Sequence, residues 1–127
     1  MDFLKHFVEW PNVASFEAQD IIFCEREPAT HLYVILSGEV ELTFHSESLA
    51  VEQRGGIIGE MAVIDSASRN VTATALTPVT AAKLNKEQFR SMIDENTSFA
   101  MHAMATLANR LRAADNFIRR KLQDSAG

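Results

Sequence analysis

Up to about residue 84 the chain is built from short apolar runs separated by polar punctuation. Val40, Leu42 and Phe44 alternate with Glu39, Glu41, Thr43 and His45, the period-two signature of a half-buried strand. Runs of this kind predict strands near 13–16, 20–24, 31–37, 39–45, 48–53, 56–59, 70–76 and 79–84. Ser37-Gly38, between two of them, is a hairpin signal. Ahead of the strands, Phe3, Leu4, Phe7 and Val8 share one face of a short amphipathic helix over 2–9, which Trp10-Pro11-Asn12 ends. Many short strands with tight turns predict a mainly β chain with flanking helices, folded as an antiparallel sandwich or barrel.

From Asn85 the period changes. Asn85 with Gln88 forms a capping box that starts a helix through about Asp94. Asn96 then caps a longer helix running to about Gln123, leaving a soft tail at Asp124–Gly127. On that helix Ala100, Met104, Leu107, Leu111, Ala114, Ile118 and Leu122 recur at alternating spacings of four and three. Such a seam suits either packing on the sheets or a coiled coil. Phe99 to Leu107 are expected to pack internally and Leu111 onward to meet another chain, because Phe117, Ile118 and Leu122 would otherwise lie in water.

Length, 127 residues, allows one domain with a real core, the strands at about 13–84 and the closing helices at about 85–123. A net charge of −5 argues against a nucleic-acid polymer as partner. The charge is uneven: residues 1–60 hold 11 acids and 3 bases, residues 61–127 hold 6 acids and 9 bases. Arg110, Arg112, Arg119, Arg120 and Lys121 are read as solvating the last helix, or docking an acidic partner. The lone Cys24 requires no oxidising compartment and reads as a buried, inert strand thiol. With no run of transmembrane length and no signal-peptide core, a cytoplasmic protein without a membrane partner is expected. His6, His31, His45 and His102 share no metal-ligand spacing, and no nucleophile elbow, P-loop or zinc motif occurs. Catalysis, a metal site and a cofactor are therefore not expected.

The chemistry concentrates in Gly55–Ala75, GGIIGEMAVIDSASRNVTATA. Gly55, Gly56 and Gly59 permit tight turns and close approach to the backbone. Glu60–Ile64 is long enough for one helical turn, whose free N–H groups and dipole favour an anion. Arg69 brings a planar donor fork suited to phosphate, and Asn70–Ala75 reads as a strand. An acid and an arginine flanking a glycine-entered turn suit a ligand with both a hydroxyl and a phosphate. Taken as an isolated pair, Glu60 and Arg69 would read as a salt bridge closing a surface loop.

Gly59-Glu60-Met61-Ala62 followed by Arg69-Asn70-Val71-Thr72 resembles the phosphate-binding cassette of the cyclic-nucleotide-binding domain family, which includes bacterial cAMP receptor proteins and regulatory subunits of cAMP-dependent protein kinase. The likeness extends to Phe23–Gly38, to Gly55 four residues before Gly59, to Leu84–Phe89 and to Leu107–Leu111. It implies an eight-stranded antiparallel jelly-roll β-barrel with a short N-terminal helix, a cassette helix and two C-terminal helices. It further implies that Arg69 pairs with the exocyclic oxygens of a cyclic phosphate and that Glu60 accepts from the ribose 2′-hydroxyl. The N–H groups of Ala62 and Asn70 would complete the cradle, with Gly59 allowing close approach. Met61, Val71 and Thr72 belong to the same motif, and Asn70 and Thr72 are candidates for further polar contacts. In dimeric members the last helix offers polar groups to the base. The matching positions here are Ala114, which cannot hydrogen-bond, and Asp115, which can accept, while Phe117 is placed to stack on the base or to pack in the protein.

The chain departs from the family pattern at Arg26, where glycine is usual and a differently built turn is expected, and at Ser68, Asn70 and Thr97. Asn70 bears on base selectivity. The expected function is a non-catalytic sensor of cAMP, or of cGMP, acting as a homodimer through the last helix. Two rivals stand beside it: an interaction module that keeps the fold without a nucleotide and binds an effector protein, and the regulatory domain of a larger channel, kinase or transcription regulator. In cAMP-receptor-type transcription factors a helix-turn-helix domain follows the last helix, and none is expected here.

Overall fold

A computed structural model describes residues 2–126. Eight strands form two antiparallel sheets: β1 (Val13–Phe16), β2 (Ile21–Phe23), β3 (His31–Ser37), β4 (Val40–Phe44), β5 (Glu47–Glu52), β6 (Ile57–Ile58), β7 (Thr72–Ala75) and β8 (Val79–Asn85). One sheet has the order β1-β8-β3-β6 and the other β2-β7-β4-β5. Strand count, pairing sense and positions follow the alternation in the sequence to within one or two residues. Among the described residues no ladder joins the sheets, so the pairing forms two sheets and not the continuous ladder of a closed barrel.

The sheets and helices make three layers with two apolar interfaces. Tyr33, Ile35, Val40, Leu42, Ile58, Ala73 and Ala81 fill the space between the sheets. On the other face of the first sheet, Leu32, Val34, Ile57 and Leu84 meet the helices. This explains why Leu32-Tyr33-Val34-Ile35 is a continuous apolar run and does not alternate: β3 is buried on both faces.

The helical layer is the N-terminal 3₁₀ helix Asp2–Phe7, α2 (Lys86–Glu95) and α3 (Thr97–Ala126), with the short α1 (Glu60–Ile64) between β6 and β7. Phe99 of α3 is its hub, with ring centroids 5.4 Å from Phe3, 6.1 Å from Phe7 and 5.8 Å from Phe89. Both caps form as the sequence implies. Asn85 Oδ1 accepts from Gln88 N–H at 2.8 Å while Gln88 Oε1 accepts from Asn85 N–H at 2.9 Å. Asn96 Oδ1 accepts from Phe99 N–H at 2.9 Å.

Several expectations are corrected. The 3₁₀ helix stops at Phe7, which turns Val8 out to water. Cys24 lies just beyond β2 and is half-buried. Arg26 adopts φ +72°, so its turn holds a left-handed residue without a glycine. Residues 124–126 continue α3, and Gly127 lies outside the described residues. The inward face of α3 is Phe99, Ala103, Thr106, Arg110, Ala113 and Phe117, not the seam through Ala100 and Leu111. Met104 and Leu111 of that seam are exposed. No described helix is long and apolar enough to cross a membrane.

Phe99→Ala is expected to cost about 3–5 kcal/mol in urea unfolding. A loss below about 1 kcal/mol would contradict the hub assigned to this ring.

Candidate functional site

β6 runs straight into the site. Gly59, between β6 and α1, has φ +79°, and a Cβ there would meet Arg69 Nη1 at 2.4 Å and Phe23 at 3.2 Å. Glycine is required twice over, by the left-handed backbone and by the guanidinium lying against it. The next residue, Glu60, opens α1 with its side chain turned inward and 2% of the residue exposed.

A carboxylate this buried needs a compensating charge, and α3 supplies one. Arg110 Nε lies 3.2 Å from Glu60 Oε1, its Nη1 donates to Glu52 Oε1 of β5 at 2.9 Å, and its Nη2 donates to Ile57 O at 2.8 Å. The contact with Glu60 is ionic and not aligned as a hydrogen bond, so Glu60 Oε1 has no hydrogen-bond partner. One arginine thus serves two carboxylates, and one oxygen of the more buried one has an ion pair but no aligned donor.

Arg69 sits on the other side of Gly59. Its Nη1 donates to Gly59 O at 3.0 Å and its Nη2 to His31 O at 2.6 Å. The guanidinium lies 4.1 Å above the Phe23 ring, which stacks in turn on Tyr33. The backbone is clamped by the turn after β2: Arg26 N–H donates to Arg69 O at 2.8 Å and Arg69 N–H to Glu27 O at 2.9 Å.

A cavity of about 290 Å³ opens between the second sheet and α3. Leu42 and Leu49 wall one side, Leu107 and Ala114 the other, with Met61, Asn70 and Val71 forming the floor. A second compartment of about 300 Å³ adjoins it, sharing Leu49, Asn70, Val71 and Ala114 and adding Phe44, Phe117 and Ile118. At the inner end, Gly59, Glu60, Asn70 and Arg110 enclose a narrow recess.

The family model for the cyclic nucleotide-binding domain matches residues 13–96, the sheets together with α1 and α2. The chain belongs to the cyclic nucleotide-binding domain family. It is 29% identical over 100 residues to a CRP-like cAMP-activated global transcriptional regulator of Mycobacterium tuberculosis, covering 75% of this chain and 45% of the regulator. Over 99 residues it is 30% identical to the cyclic AMP receptor protein of Thermus thermophilus, covering 74% of this chain and 46% of that one. Among solved structures, the Thermus thermophilus catabolite activator protein matches with a TM-score of 0.75 at 25% identity, over 93% of this chain and 58% of that one. This chain spans less than half the length of those two curated relatives.

Against this family frame, the residues singled out in the sequence fall into two groups. Glu60, Met61, Asn70, Val71 and Phe117 line the compartments or the recess, and Gly59 shapes it. Ala62 lies on the buried face of α1, and Arg69 is not among the residues that line either compartment. Thr72 turns to Glu25, its hydroxyl accepting from Glu25 N–H at 3.1 Å. Asp115 faces solvent and pairs with Arg119 at 2.9 Å, and it is not among the residues that line either compartment. Arg110 is a correction. The sequence reading placed it among solvating bases, whereas it is the inner counter-ion of the site and, with Glu52, was missed. Its signal was positional: Arg110 lies at four and three spacing with Phe99, Ala103 and Thr106, a charge on the buried stripe.

Burial raises the pKa of the Glu60 carboxyl above its ordinary 4.5, with Arg110 opposing that rise. Burial also lowers that of Arg69, opposed by Tyr33, Glu27 and Glu60, but it stays a cation at neutral pH.

Two tests follow from this geometry. Gly59→Ala is expected to destabilise by about 1–3 kcal/mol, because the left-handed strain adds to a clash with Arg69; an unchanged melting temperature would contradict the close approach. For Glu60, a raised folded pKa means stability present in full below the ordinary value and lost as pH rises through the folded one. Denaturant unfolding between about pH 4 and about pH 7 should therefore show wild type losing stability that Glu60→Gln does not lose. Parallel pH curves for the two proteins would refute it.

Proposed function

We propose that this chain is a non-catalytic cyclic-nucleotide sensor whose first ligand is cAMP, with cGMP as the alternative. The observation that carries the reading is the buried Glu60 oxygen without a hydrogen-bond partner, at the inner end of a cavity in a chain of this family. A buried acceptor without a donor is expensive, and a ligand hydroxyl supplies the donor. In this reading Glu60 accepts from the ribose 2′-hydroxyl. Arg69, with two of its five N–H groups given to carbonyls, directs others at the cyclic phosphate. The N–H groups of Ala62 and Asn70 complete the cradle, and Met61 and Val71 pack against the sugar. Thr72 braces the strand through Glu25.

The base would occupy the outer compartment against Phe117. There Asn70 is the one polar side chain among the lining residues, so discrimination between bases falls to its amide. The two curated relatives are named for cAMP, which favours adenine.

The sensor would act as a homodimer through α3, whose outer face exposes Met104, Leu111, Ile118 and Leu122. Because the relatives are more than twice as long as the matched region, the chain is also read as a regulatory unit that acts on a further domain or partner. One observation favours the rival reading of a nucleotide-free interaction module: Arg69 is satisfied by carbonyls and stands outside the cavity walls.

Calorimetric titration with cAMP separates these readings. Arg69→Ala and Arg69→Lys, each checked for an unchanged fold by melting, are expected to lose about ten- to a hundredfold in affinity, the scale of one lost charge-assisted bond. Binding undiminished in Arg69→Ala, or no wild-type binding of cAMP or cGMP, would reject the sensor. Sedimentation with and without cAMP should show a dimer; a monomer in both states would retire the α3 interface.

A further inference from the structure

Glu60 lies behind a barrier made by two side chains of its own segment. The recess beside it has a volume of about 10 Å³, against about 290 Å³ for the compartment it adjoins. Space of that size holds about one water. Gly59 and Glu60 line the recess alone, whereas Leu42, Met61, Asn70, Val71 and Arg110 line both spaces. Those five side chains form the boundary that a ligand hydroxyl has to cross.

Three of the five are fixed. Leu42 and Val71 are buried, and Arg110 is held by Glu52 and Ile57 O. The other two are Met61, 38% exposed, and Asn70, also exposed. These two meet across the boundary: Asn70 Nδ2 donates to Met61 Sδ at 3.4 Å. A thioether is a weak acceptor and water competes for the amide, so the bond parts at small cost. The backbone beneath both side chains does not share that freedom. Asp65 N–H donates to Met61 O at 3.2 Å and Ala67 N–H to Ala62 O at 2.9 Å, while Arg69 is clamped by the turn after β2. Opening therefore needs only new rotamers of Met61 and Asn70, with α1 and β7 left in place.

We propose that the Asn70–Met61 contact is a latch, which shuts the Glu60 recess and has to part before a ligand hydroxyl reaches Glu60. Asn70 also lines the outer compartment, so parting the latch frees its amide to face the base. One side chain then guards the inner acid and reads the far end of the ligand. The latch stands on this geometry alone; that a nucleotide opens it rests on the function proposed above.

Met61→Leu tests it, because leucine removes the sulfur and nearly keeps the volume. In NMR relaxation of the chain without added nucleotide, the Asn70 side-chain amide should have a lower order parameter in Met61→Leu than in wild type. Backbone amides of residues 72–75 should not change. Equal order of the Asn70 amide in both proteins, or a loss that spreads into β7, would overturn the latch. Stopped-flow binding of cAMP forms the second arm. Association should be about two- to fivefold faster in Met61→Leu, as for a latch shut in about half to about four fifths of the molecules. Asn70→Ala should quicken association by the same factor, and the double variant should gain nothing further, since both changes remove one contact. Unchanged association in both single variants, or gains that multiply in the double variant, would overturn the latch as a gate. If the amide loosens in Met61→Leu and neither wild type nor variant binds cAMP or cGMP, the latch stands and the nucleotide reading falls.

Discussion

Burying the Glu60 carboxylate is the constraint around which the other parts of the site are arranged. An ionised acid inside a protein is tolerated only beside a fixed positive charge, and the ion pair that Glu60 makes is with Arg110, while Arg69 gives two of its N–H groups to Gly59 O and His31 O. The charge arrives from α3 as Arg110. This fixes where the helix crosses the second sheet, because the same guanidinium must also reach Glu52 and Ile57 O. Gly56 makes the crossing possible: a Cβ there would meet Glu52 Oε2 at 2.7 Å. Sheet, cassette and helix are therefore joined through one polar knot in otherwise apolar surroundings.

The knot is deliberately incomplete in chemical terms. Arg110 makes aligned bonds to Glu52 and Ile57 O but only an ionic contact with Glu60. A fully satisfied network would have stiffened the recess and left nothing for a ligand to gain. In the proposed reading an acceptor that is already dehydrated is prepared for a ligand donor, and part of the desolvation that binding ordinarily costs would have been met during folding.

Much of the fold could be read from the chain. Period-two alternation located the strands, and the Asn85–Gln88 box located α2, because both signals are local and each has one physical interpretation. Membership of the family was also legible, since the pattern around Gly59, Glu60 and Arg69 is distinctive and the family model matches residues 13–96. What failed was the orientation of α3. Hydropathy favoured the stripe through Met104 and Leu111, yet the helix buries Thr106 and Arg110 instead. Thr106 is accommodated by donating to His102 O at 3.0 Å, and Arg110 by two carboxylates that a one-dimensional pattern does not place beside it.

The central claim is that the unpartnered Glu60 oxygen awaits a ligand hydroxyl. It is tested most directly by comparing cAMP with 2′-deoxy-cAMP in calorimetric titrations of the wild-type chain. Loss of the hydroxyl should weaken binding by about ten- to a hundredfold, the cost of leaving a buried charged acceptor unmade. Equal affinities for the two nucleotides would contradict the account.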